Sequence, residues 1–418
     1  MIPFHHQTCL PLPVPHQRPP GFTIILRLLS PTAPGTSSTS PGGISSWLPR
    51  APRQARCCSA RPRPNASAPP NRVKPPAART QDPRPLASYV AGAGRPPTRP
   101  AGGSRLRAIR VHATGGPEVL GCEEVADPRP GPGEVLVRLR AAGVNPVETY
   151  IRAGQFGRRP DLPYTPGSDG AGEVLSAGEG VSGLHPGQRV WVAGAPTYAE
   201  MVAAPAQAVL PLPDHLSYEQ GAAIGIPYRT AYLALHLAAL AQPGDLVLVR
   251  GGSGGVGVAA IQVASAHGCR VVATAGTGAG RDLVLAQGAE AAAGHGEEER
   301  LRELSGGGGY DVIVEMLANA NLPSDLALLA PRGRVAIVGS RGPVTIDPRQ
   351  IMQRSAAVRG VMGMTDEERR RVDLALLAGL RRGGLVPVVG RRFPLEEAAA
   401  AHGAVMSPGA AGKIVLTM

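Results

Sequence analysis

The stretch Leu246-Val247-Leu248-Val249-Arg250-Gly251-Gly252-Ser253-Gly254-Gly255-Val256-Gly257 decides the fold. Its four leading apolar residues lack polar alternation, which predicts a strand that is buried on both faces. The residues from Gly252 to Gly257 fit the pattern G-x-G-x-x-G, and an apolar helical segment and a second apolar run follow them. A strand, a glycine-rich turn, a helix and another strand in this order predict a dinucleotide-binding βαβ unit.

A helical stretch over Thr230–Leu240 leads to the first apolar run, and the same pattern continues downstream. The apolar runs Val312–Val314 and Val335–Val338 predict further strands, and Leu322–Leu329 predicts a helix between them. Buried strands that alternate with helices are typical of a parallel sheet covered on both faces. We therefore predict a Rossmann dinucleotide-binding domain over residues 229–367.

The chain before this domain has a different pattern. Leu106–Val111 and Val135–Leu139 alternate apolar and polar residues, and short strands separated by Gly/Pro turns continue to Val209. This predicts a β-rich, barrel-like domain. A helix over Glu367–Leu380 and a last strand over Lys413–Leu416 follow the dinucleotide-binding part. We assign residues 105–228 and 368–418 to the β-rich domain, so the fold class is α/β with two domains.

The net charge of +12 belongs to the first quarter of the chain. Residues 1–104 hold 13 of the 43 basic residues and one of the 31 acidic ones, so residues 105–418 have no net charge. Half of the 44 prolines also lie before residue 105. Such a segment buries too little apolar surface to offset its ordering entropy, so we predict a disordered N-terminal extension over 1–104.

Location is predicted from composition alone. Five cysteines, an odd number, do not suggest a disulfide framework, which favours a reducing, cytoplasmic compartment. The Arg- and Ser-rich extension leaves a mitochondrial presequence as the alternative, although its prolines oppose an amphipathic helix. No apolar run approaches the roughly 18 to 20 residues of a membrane-spanning helix, so no membrane association is predicted.

The end of the second strand of the βαβ unit indicates which dinucleotide binds. An NAD site usually has an acidic residue there, which bonds the ribose 2′-hydroxyl. This strand ends Ala273-Thr274-Ala275-Gly276-Thr277, without a carboxylate, and Arg281 follows closely. The sequence therefore favours NADPH as the cofactor.

A β-rich domain followed by a dinucleotide domain suggests the medium-chain dehydrogenase/reductase architecture, in which many members hold a catalytic zinc. Where a cysteine ligand would stand the sequence reads Gly143-Val144-Asn145-Pro146, and where a histidine ligand would stand it reads Gly167-Ser168-Asp169. No closely spaced cysteine cluster is present for a structural zinc. We predict no metal site.

Longer stretches carry a more specific resemblance to the zeta-crystallin family of NADPH-dependent quinone oxidoreductases, a zinc-free branch of that superfamily. They cover nearly all of residues 105–418. The stretches are Gly115–Leu120, Gly143–Arg152, Leu162–Asp169, Gln220–Tyr228, Ser253–Gly257, Glu315–Asn319 and Val338–Gly342. The resemblance implies a GroES-like fold for the barrel-like domain and a homotetrameric assembly.

The resemblance also implies the site residues. Tyr150 lines the nicotinamide cleft, where it either takes part in the chemistry or only shapes the cleft. Asn145 is the second candidate catalytic residue. Because it precedes Pro146, its alternative role is only to form a turn. The implied cofactor-binding residues are Tyr150, Ser253, Gly254, Gly255, Val256, Gly257, Gly276, His295, Asn321, Val338, Gly339, Ser340, Arg341, Val361, Met362 and Gly363. Met362-Gly363-Met364 departs from the family's pattern. Asp169 and Glu148 are left unassigned, because nothing in the sequence places them together.

The implied function is NADPH-dependent reduction of ortho-quinones, by one-electron transfer that yields semiquinones. One alternative keeps the fold and reduces the double bond of enones or enals. Another is a binding role, either to AU-rich RNA or as a structural crystallin. The zero net charge of residues 105–418 argues against strong non-specific RNA affinity, but RNA could enter the cofactor cleft.

Overall fold

The structure, a computed structural model, describes residues 105–157, 160–409 and 411–418. The predicted disordered extension over 1–104 lies outside these residues. The described strands are β1 (Arg105–Val111), β2 (Leu120–Ala126), β3 (Glu134–Val144), β4 (Asp169–Ala177), β5 (Arg189–Ala193), β6 (Met201–Pro205), β7 (Val209–Pro211), β8 (Leu246–Val249), β9 (Arg270–Thr274), β10 (Ala291–Ala293), β11 (Tyr310–Glu315), β12 (Leu329–Ile337), β13 (Ala357–Gly360), β14 (Val389–Pro394) and β15 (Lys413–Thr417).

The helices alternate with the later strands. They are α1 (Pro146–Arg152), α2 (Tyr218–Gly221), α3 (Gly225–Tyr232), α4 (Gly255–Ala266), α5 (Gly278–Ala286), α6 (Glu298–Leu304), α7 (Ala318–Leu328), α8 (Pro348–Arg354), α9 (Asp366–Arg381) and α10 (Ala398–Met406), with short 3-10 turns at Pro117–Val119, Ala206–Ala208 and Leu395–Glu397. In the described part of the chain, no helix is long and apolar enough to cross a membrane.

The first domain is built on a mostly antiparallel sheet. Its strand order is β14-β15-β3-β4-β5-β7, with β6 paired to β3, and β1 and β2 form a separate antiparallel pair. β3 alternates buried and more exposed residues along its first half, as the sequence pattern predicts. β15, from the end of the chain, pairs with β3 and so completes this GroES-like domain.

The second domain is the predicted Rossmann domain. Among the described residues, six strands form an all-parallel sheet in the order β10-β9-β8-β11-β12-β13. All four residues of β8 are buried, because the strand lies inside the sheet with helices against its faces. The chain leaves β8 on one side toward β9 and later returns on the other side at β11. Ligands bind parallel sheets at such a reversal of strand order.

Two predicted helices differ from the observed ones. The predicted helix 230–240 is α3, which begins at Gly225, followed by a π-helix over Leu233–Ala238, and it stops before Leu240, whose φ is +52°. The predicted helix 322–329 begins one turn earlier, at Ala318. Pro323 lies inside that helix, whereas proline normally marks a first turn.

The predicted domain boundaries fall within helices. The boundary after residue 228 lies in α3, and the boundary after residue 367 lies in α9. Arg229 on α3 donates two hydrogen bonds, of 2.7 and 2.8 Å, to the carboxylate of Asp373 on α9, and both residues are buried. The two helices that connect the domains are thus joined by a buried ion pair. The boundaries themselves stay a prediction.

Candidate active site

The glycine-rich turn joins β8 to α4 at the carboxyl end of the parallel sheet. Gly251 opens it with a φ of +63°, a conformation that favours glycine. The Gly251 amide donates to Thr274 Oγ1 at 3.0 Å, and the Gly252 amide donates to the Thr274 carbonyl at 2.7 Å. A Cβ atom on Gly257 would lie 2.3 Å from the Gly251 carbonyl oxygen, so a side chain there would push α4 off the turn.

The N-terminus of α4 is shaped to bind an anion. Its N-cap residue, Gly254, is extended, and no side chain among the described residues caps the helix. The first-turn amides and the positive end of the helix dipole are therefore available to phosphate. The structure brings together at this turn the predicted phosphate-binding residues Ser253, Gly254, Gly255, Val256 and Gly257.

The last strand of the GroES-like domain borders this turn. The Gly412 amide donates to the Ser253 carbonyl at 2.8 Å, and Gly412 forms an isolated parallel bridge with Gly254. The next residue, Lys413, passes under the turn: its Cδ atom would lie 3.3 Å from a Cβ on Gly255. The candidate phosphate site and the C-terminal strand are thus in direct contact.

Lys413 also belongs to a buried cluster of polar side chains. Its ammonium donates to Asn145 Oδ1 and, at 3.3 Å, to Asp169 Oδ2. Asn145 Nδ2 donates in turn to Asp169 Oδ2 at 3.0 Å and to Glu148 Oε1 at 3.1 Å. All four residues are at most 4% exposed. The candidate catalytic residue Asn145 therefore lies between two carboxylates and an ammonium.

Backbone amides complete the cluster. The Asn145 amide donates to Glu148 Oε2 at 2.9 Å, which forms the capping box of α1, and the Ile226 amide donates to Asp169 Oδ1 at 2.8 Å. Burial raises the pKa of Glu148, and the Lys413 charge opposes that rise. Because α1 carries Tyr150, the cluster also sets where that tyrosine stands.

A chain of hydrogen bonds leads from Glu148 to a second cation. Tyr198 Oη donates to Glu148 Oε2 at 2.6 Å, His402 Nε2 lies 3.2 Å from Tyr198 Oη, and Arg152 Nη1 lies 2.9 Å from His402 Nδ1. Arginine can only donate hydrogen bonds, so His402 Nδ1 accepts one from Arg152. His402 Nε2 therefore carries the ring proton, and it donates a hydrogen bond to Tyr198 Oη. Burial, with a smaller contribution from Arg152, lowers the pKa of His402 to about 3, which keeps the imidazole neutral.

Tyr150 opens onto a cavity next to this chain. The cavity has a volume of about 440 Å³, and Thr149, Arg152, Gln155 and Met406 also line it. Tyr150 is itself only partly buried. The structure therefore places this candidate residue at a cavity wall, on the same short helix as Arg152.

The predicted adenosine end of the cofactor site lies beyond β9. A Cβ on Gly276 would lie 3.1 Å from His295 Cδ2, so the two predicted residues are neighbours. His295 Nδ1 lies 3.2 Å from Thr274 Oγ1, and burial is the main cause that lowers the pKa of His295. Thr277 Oγ1 accepts a hydrogen bond from the Gly280 amide at 3.0 Å and so caps α5. This helix carries Arg281, the basic residue that follows the end of β9.

The predicted nicotinamide end lies beyond β11 and β12. Asn321 Nδ2 donates to both oxygens of buried Glu315, at 3.1 and 3.3 Å, and within the described residues its amide oxygen accepts no hydrogen bond, so it is available to a ligand. Asn319 Oδ1 accepts from the Arg341 amide at 2.8 Å and so holds the 338–341 segment (Val338, Gly339, Ser340 and Arg341) beside the start of α7. The structure brings these predicted residues together at one edge of the sheet.

In the third predicted segment, Val361 is buried, whereas Met362 and Gly363 are exposed. The Val361 amide donates to the Ile337 carbonyl at 2.8 Å, and Val361 is buried at the end of β12. Met362 is 64% exposed, and Gly363 has a φ of +69°. Only Val361 is thus packed against the sheet edge that carries the other predicted residues.

The buried cluster does not fit a zinc ion. Zinc in proteins is held by thiolate, imidazole or carboxylate ligands. Here the amide oxygen of Asn145 and a carboxylate oxygen of Asp169 already face the Lys413 ammonium, which occupies the place a metal cation would need. Among the described residues, no three His, Cys, Asp or Glu side chains are grouped to hold a metal. We derive no step through a metal.

Sequence patterns do not reveal several residues of this site. They predict only a strand for Lys413 and no role for Asp169, Glu148, Tyr198 or His402. One signal was present: Lys413 is the single lysine of residues 105–418, where arginine supplies every other basic side chain. The remaining contacts join positions up to 268 residues apart, which no local pattern reveals.

Comparisons with known proteins agree with this architecture. The family described as "Alcohol dehydrogenase GroES-like domain" matches residues 131–214, and the family described as "Zinc-binding dehydrogenase" matches residues 255–379. A solved structure described as an NAD-dependent alcohol dehydrogenase is similar with a TM-score of 0.71 at 32% identity, covering 75% of this chain and 99% of that one. A mycobacterial protein solved in complex with NADPH is similar with a TM-score of 0.69 at 33% identity, covering 75% and 100%.

Curated relatives are more similar in sequence. The quinone oxidoreductase of Lama guanicoe is 48% identical over 328 residues, which cover 76% of this chain and 99% of the relative. The human quinone oxidoreductase is 45% identical over 322 residues, which cover 75% and 98%. The resemblance predicted from the sequence is confirmed, and the chain belongs to the quinone oxidoreductase family.

Proposed function

We propose that this protein is an NADPH:quinone oxidoreductase. The observation that carries the proposal is the contact between the glycine-rich turn and the C-terminal strand, where Gly412 bonds Ser253 and Lys413 passes beneath Gly255 to reach Asn145. This contact puts the candidate phosphate site next to a buried, polar cluster in the other domain. Relatives named quinone oxidoreductase, at 45–48% identity over nearly their whole length, support the assignment.

NADPH fits the residues that are present. The uncapped first turn of α4 would hold the pyrophosphate, and the close approach of Gly257 to Gly251 leaves no room for a side chain at position 257. Gly276 and His295 would border the adenosine ribose, and the free amide oxygen of Asn321 would accept a hydrogen bond at the nicotinamide end. The cofactor supplies the reducing equivalents when it is bound.

The chain's own residues would orient the reactants. Lys413 keeps a fixed positive charge close to the cleft, and Asp169 and Glu148 balance that charge. Asn145 is immobilised by hydrogen bonds on both sides of its amide. Such preorganised dipoles change little during a reaction, and they hold the acceptor against the cofactor while excluding water.

The preference for NADPH over NADH rests on the end of β9. Gly276 and Thr277 stand where an acidic residue would repel a 2′-phosphate, and Arg281 follows in the first turns of α5. Similar solved structures include one described as NAD-dependent and one in complex with NADPH, so this chain's own residues decide the proposal. An enzyme that oxidises NADH as efficiently as NADPH would contradict it.

The proposed acceptor is a flat, electron-poor ortho-quinone that is reduced by one electron at a time. Such an acceptor needs little acid catalysis, which suits a cluster whose proton donors are already engaged with one another. The test is NADPH oxidation by the full-length protein on addition of 9,10-phenanthrenequinone, with electron paramagnetic resonance to detect semiquinone. Absence of turnover, with NADPH binding intact, would reject the function; turnover without a radical signal would reject the one-electron step.

Reduction of enones or enals is the second candidate, because Tyr150 lines a cavity and could supply a proton. That reaction needs a proton on carbon, whereas quinone reduction does not. Replacing Tyr150 by Phe should therefore impair enone reduction more than quinone reduction. Equal losses with both substrates would remove this role of Tyr150.

Three further properties remain predictions: a homotetrameric assembly and binding of AU-rich RNA, which the resemblance implies, and a cytoplasmic location, which the composition favours. The RNA prediction has a direct test, because RNA would have to enter the cofactor cleft of an uncharged body. NADPH should then displace a labelled AU-rich oligonucleotide, and failure to displace it would reject the shared cleft.

A further inference from the structure

Arg152 is a buried cation without an anionic partner. It is 6% exposed and, within the described residues, it forms no ion pair. Its Nε donates to the Gly115 carbonyl at 3.2 Å, and its Nη1 donates to the neutral imidazole of His402. The one carboxylate whose charge acts on it is Glu118, which is exposed and bonds the Gly116 amide instead.

Such an arrangement is costly unless an anion completes it. An isolated buried charge loses its hydration, and here burial lowers the pKa of Arg152. Guanidinium has five N–H donors, so the two bonds to Gly115 and His402 leave others available. Arginine binds carboxylates through two parallel hydrogen bonds, which is the geometry these remaining donors allow.

The cavity next to Arg152 has room for a ligand. Its volume is about 440 Å³, and Tyr150 forms part of the wall together with the aliphatic surface of Met406. This size lies within the range of small-molecule sites. An aromatic wall and one cation together suit a planar ligand that carries a negatively charged oxygen group.

We propose that Arg152 forms a recognition site for the carboxylate of a planar aromatic ligand, which enters the cavity lined by Tyr150. The inference deepens the proposed function, on which it rests, by naming the acceptor's class: a quinone that bears a carboxylate. The Arg152–His402–Tyr198–Glu148 chain then connects recognition of that carboxylate to the position of Asn145.

The test uses a redox-inert pair, 2-naphthoate and 2-naphthamide, titrated calorimetrically into the full-length protein saturated with NADPH. Saturation keeps naphthoate out of the phosphate-binding turn. We expect naphthoate to bind about 10-fold more tightly or better, as a charge-assisted pair implies. Equal affinities, or a preference that appears only without NADPH, would overturn the inference.

Variants separate recognition from folding. Arg152→Gln should abolish the preference for naphthoate, and Arg152→Lys should keep part of it. Arg270→Gln is the matched control: its pair with Glu290 is exposed and it does not line the cavity, so the preference should not change. A preference that survives in Arg152→Gln would refute the site.

This outcome is independent of the quinone assay. A protein that prefers naphthoate but does not reduce 9,10-phenanthrenequinone would retain the carboxylate site and lose the proposed function. A protein that reduces that quinone but binds both naphthalene probes equally would retain the function and lose the site.

Discussion

Among single residues, Lys413 matters most to the candidate site. A lysine that is 4% exposed is tolerated in a folded protein only if its charge is balanced, and here Asp169 and Asn145 accept its hydrogen bonds. Glu148, the second carboxylate of the cluster, accepts hydrogen bonds from Asn145 and Tyr198. These contacts explain how so many polar groups are buried together.

Lys413→Met tests the balance. Removing the ammonium leaves the carboxylate of Asp169 buried without its counter-charge, so we expect a loss of about 3–5 kcal/mol in the free energy of unfolding. Urea denaturation measures it. The double variant Lys413→Met/Asp169→Asn should recover part of the loss, because it removes the uncompensated charge. A double variant as unstable as the sum of both single variants would contradict the ion pair.

His402 gives a prediction about pH. Its pKa is about 3 in the folded protein and near 6.5 when unfolded, so the unfolded state takes up a proton first as the pH falls. Its contribution to stability is complete above about pH 6.5 and is lost progressively toward pH 3. Between about pH 7.5 and pH 5.5 the wild-type protein should lose about 1.4 kcal/mol that His402→Gln does not lose.

The measurement is urea denaturation of both proteins at the two pH values. The matched control is His112→Gln, since the side chain of His112 is largely exposed and bonds Glu123 at the surface. That variant should follow the wild-type pH dependence. If His402→Gln also follows it, His402 is not held neutral by burial.

At the scale of elements, the connection between the domains depends on the α3–α9 ion pair. Arg229→Met removes one partner of a bidentate pair in which both side chains are at most 10% exposed. We expect a loss of about 3–5 kcal/mol in the free energy of unfolding. Arg270→Met, which breaks an exposed pair with Glu290, should cost at most about 1 kcal/mol. Similar losses in both variants would show that burial of the pair has no effect.

The turn between β8 and α4 gives the second prediction at this scale. Gly257→Ala places a Cβ against the backbone of Gly251 and Gly252, which cannot move aside, so α4 must shift away from the strand. We expect the free energy of unfolding to fall by about 1–3 kcal/mol and NADPH to bind at least roughly tenfold more weakly. Fluorescence titration measures the NADPH binding. Gly278→Ala, where a Cβ meets nothing within 4 Å, should leave both quantities nearly unchanged. Normal NADPH binding by Gly257→Ala would place the cofactor elsewhere.

At the scale of the whole molecule, periodicity and local motifs predicted most of the fold. The buried run Leu246–Val249 is a strand with the same bounds, and the alternating runs before it belong to the GroES-like domain. These features depend on neighbours in sequence. The helix that contains Pro323 began earlier than its pattern indicated, because packing outweighed the local preference against proline.

The site could be predicted only in part, because many of its contacts join residues that are far apart in sequence. The phosphate-binding turn is contiguous in sequence and was found, whereas the Lys413 cluster joins residues from α1, β4 and β15. Arg152 lies on the same helix as Tyr150, but nothing in the sequence shows that it is buried without an ion pair among the described residues. Burial and pairing are properties of the folded chain.

The proposed activity is the reduction of a quinone by NADPH that is bound at the glycine-rich turn. The most direct measurement is the rate of NADPH oxidation by the full-length protein with and without 9,10-phenanthrenequinone, in the wild type and in Gly257→Ala and Gly278→Ala. We expect quinone-dependent oxidation by the wild type and Gly278→Ala, and a KM for NADPH at least about tenfold higher in Gly257→Ala. Wild-type protein that binds NADPH but does not oxidise it with the quinone would contradict the claim.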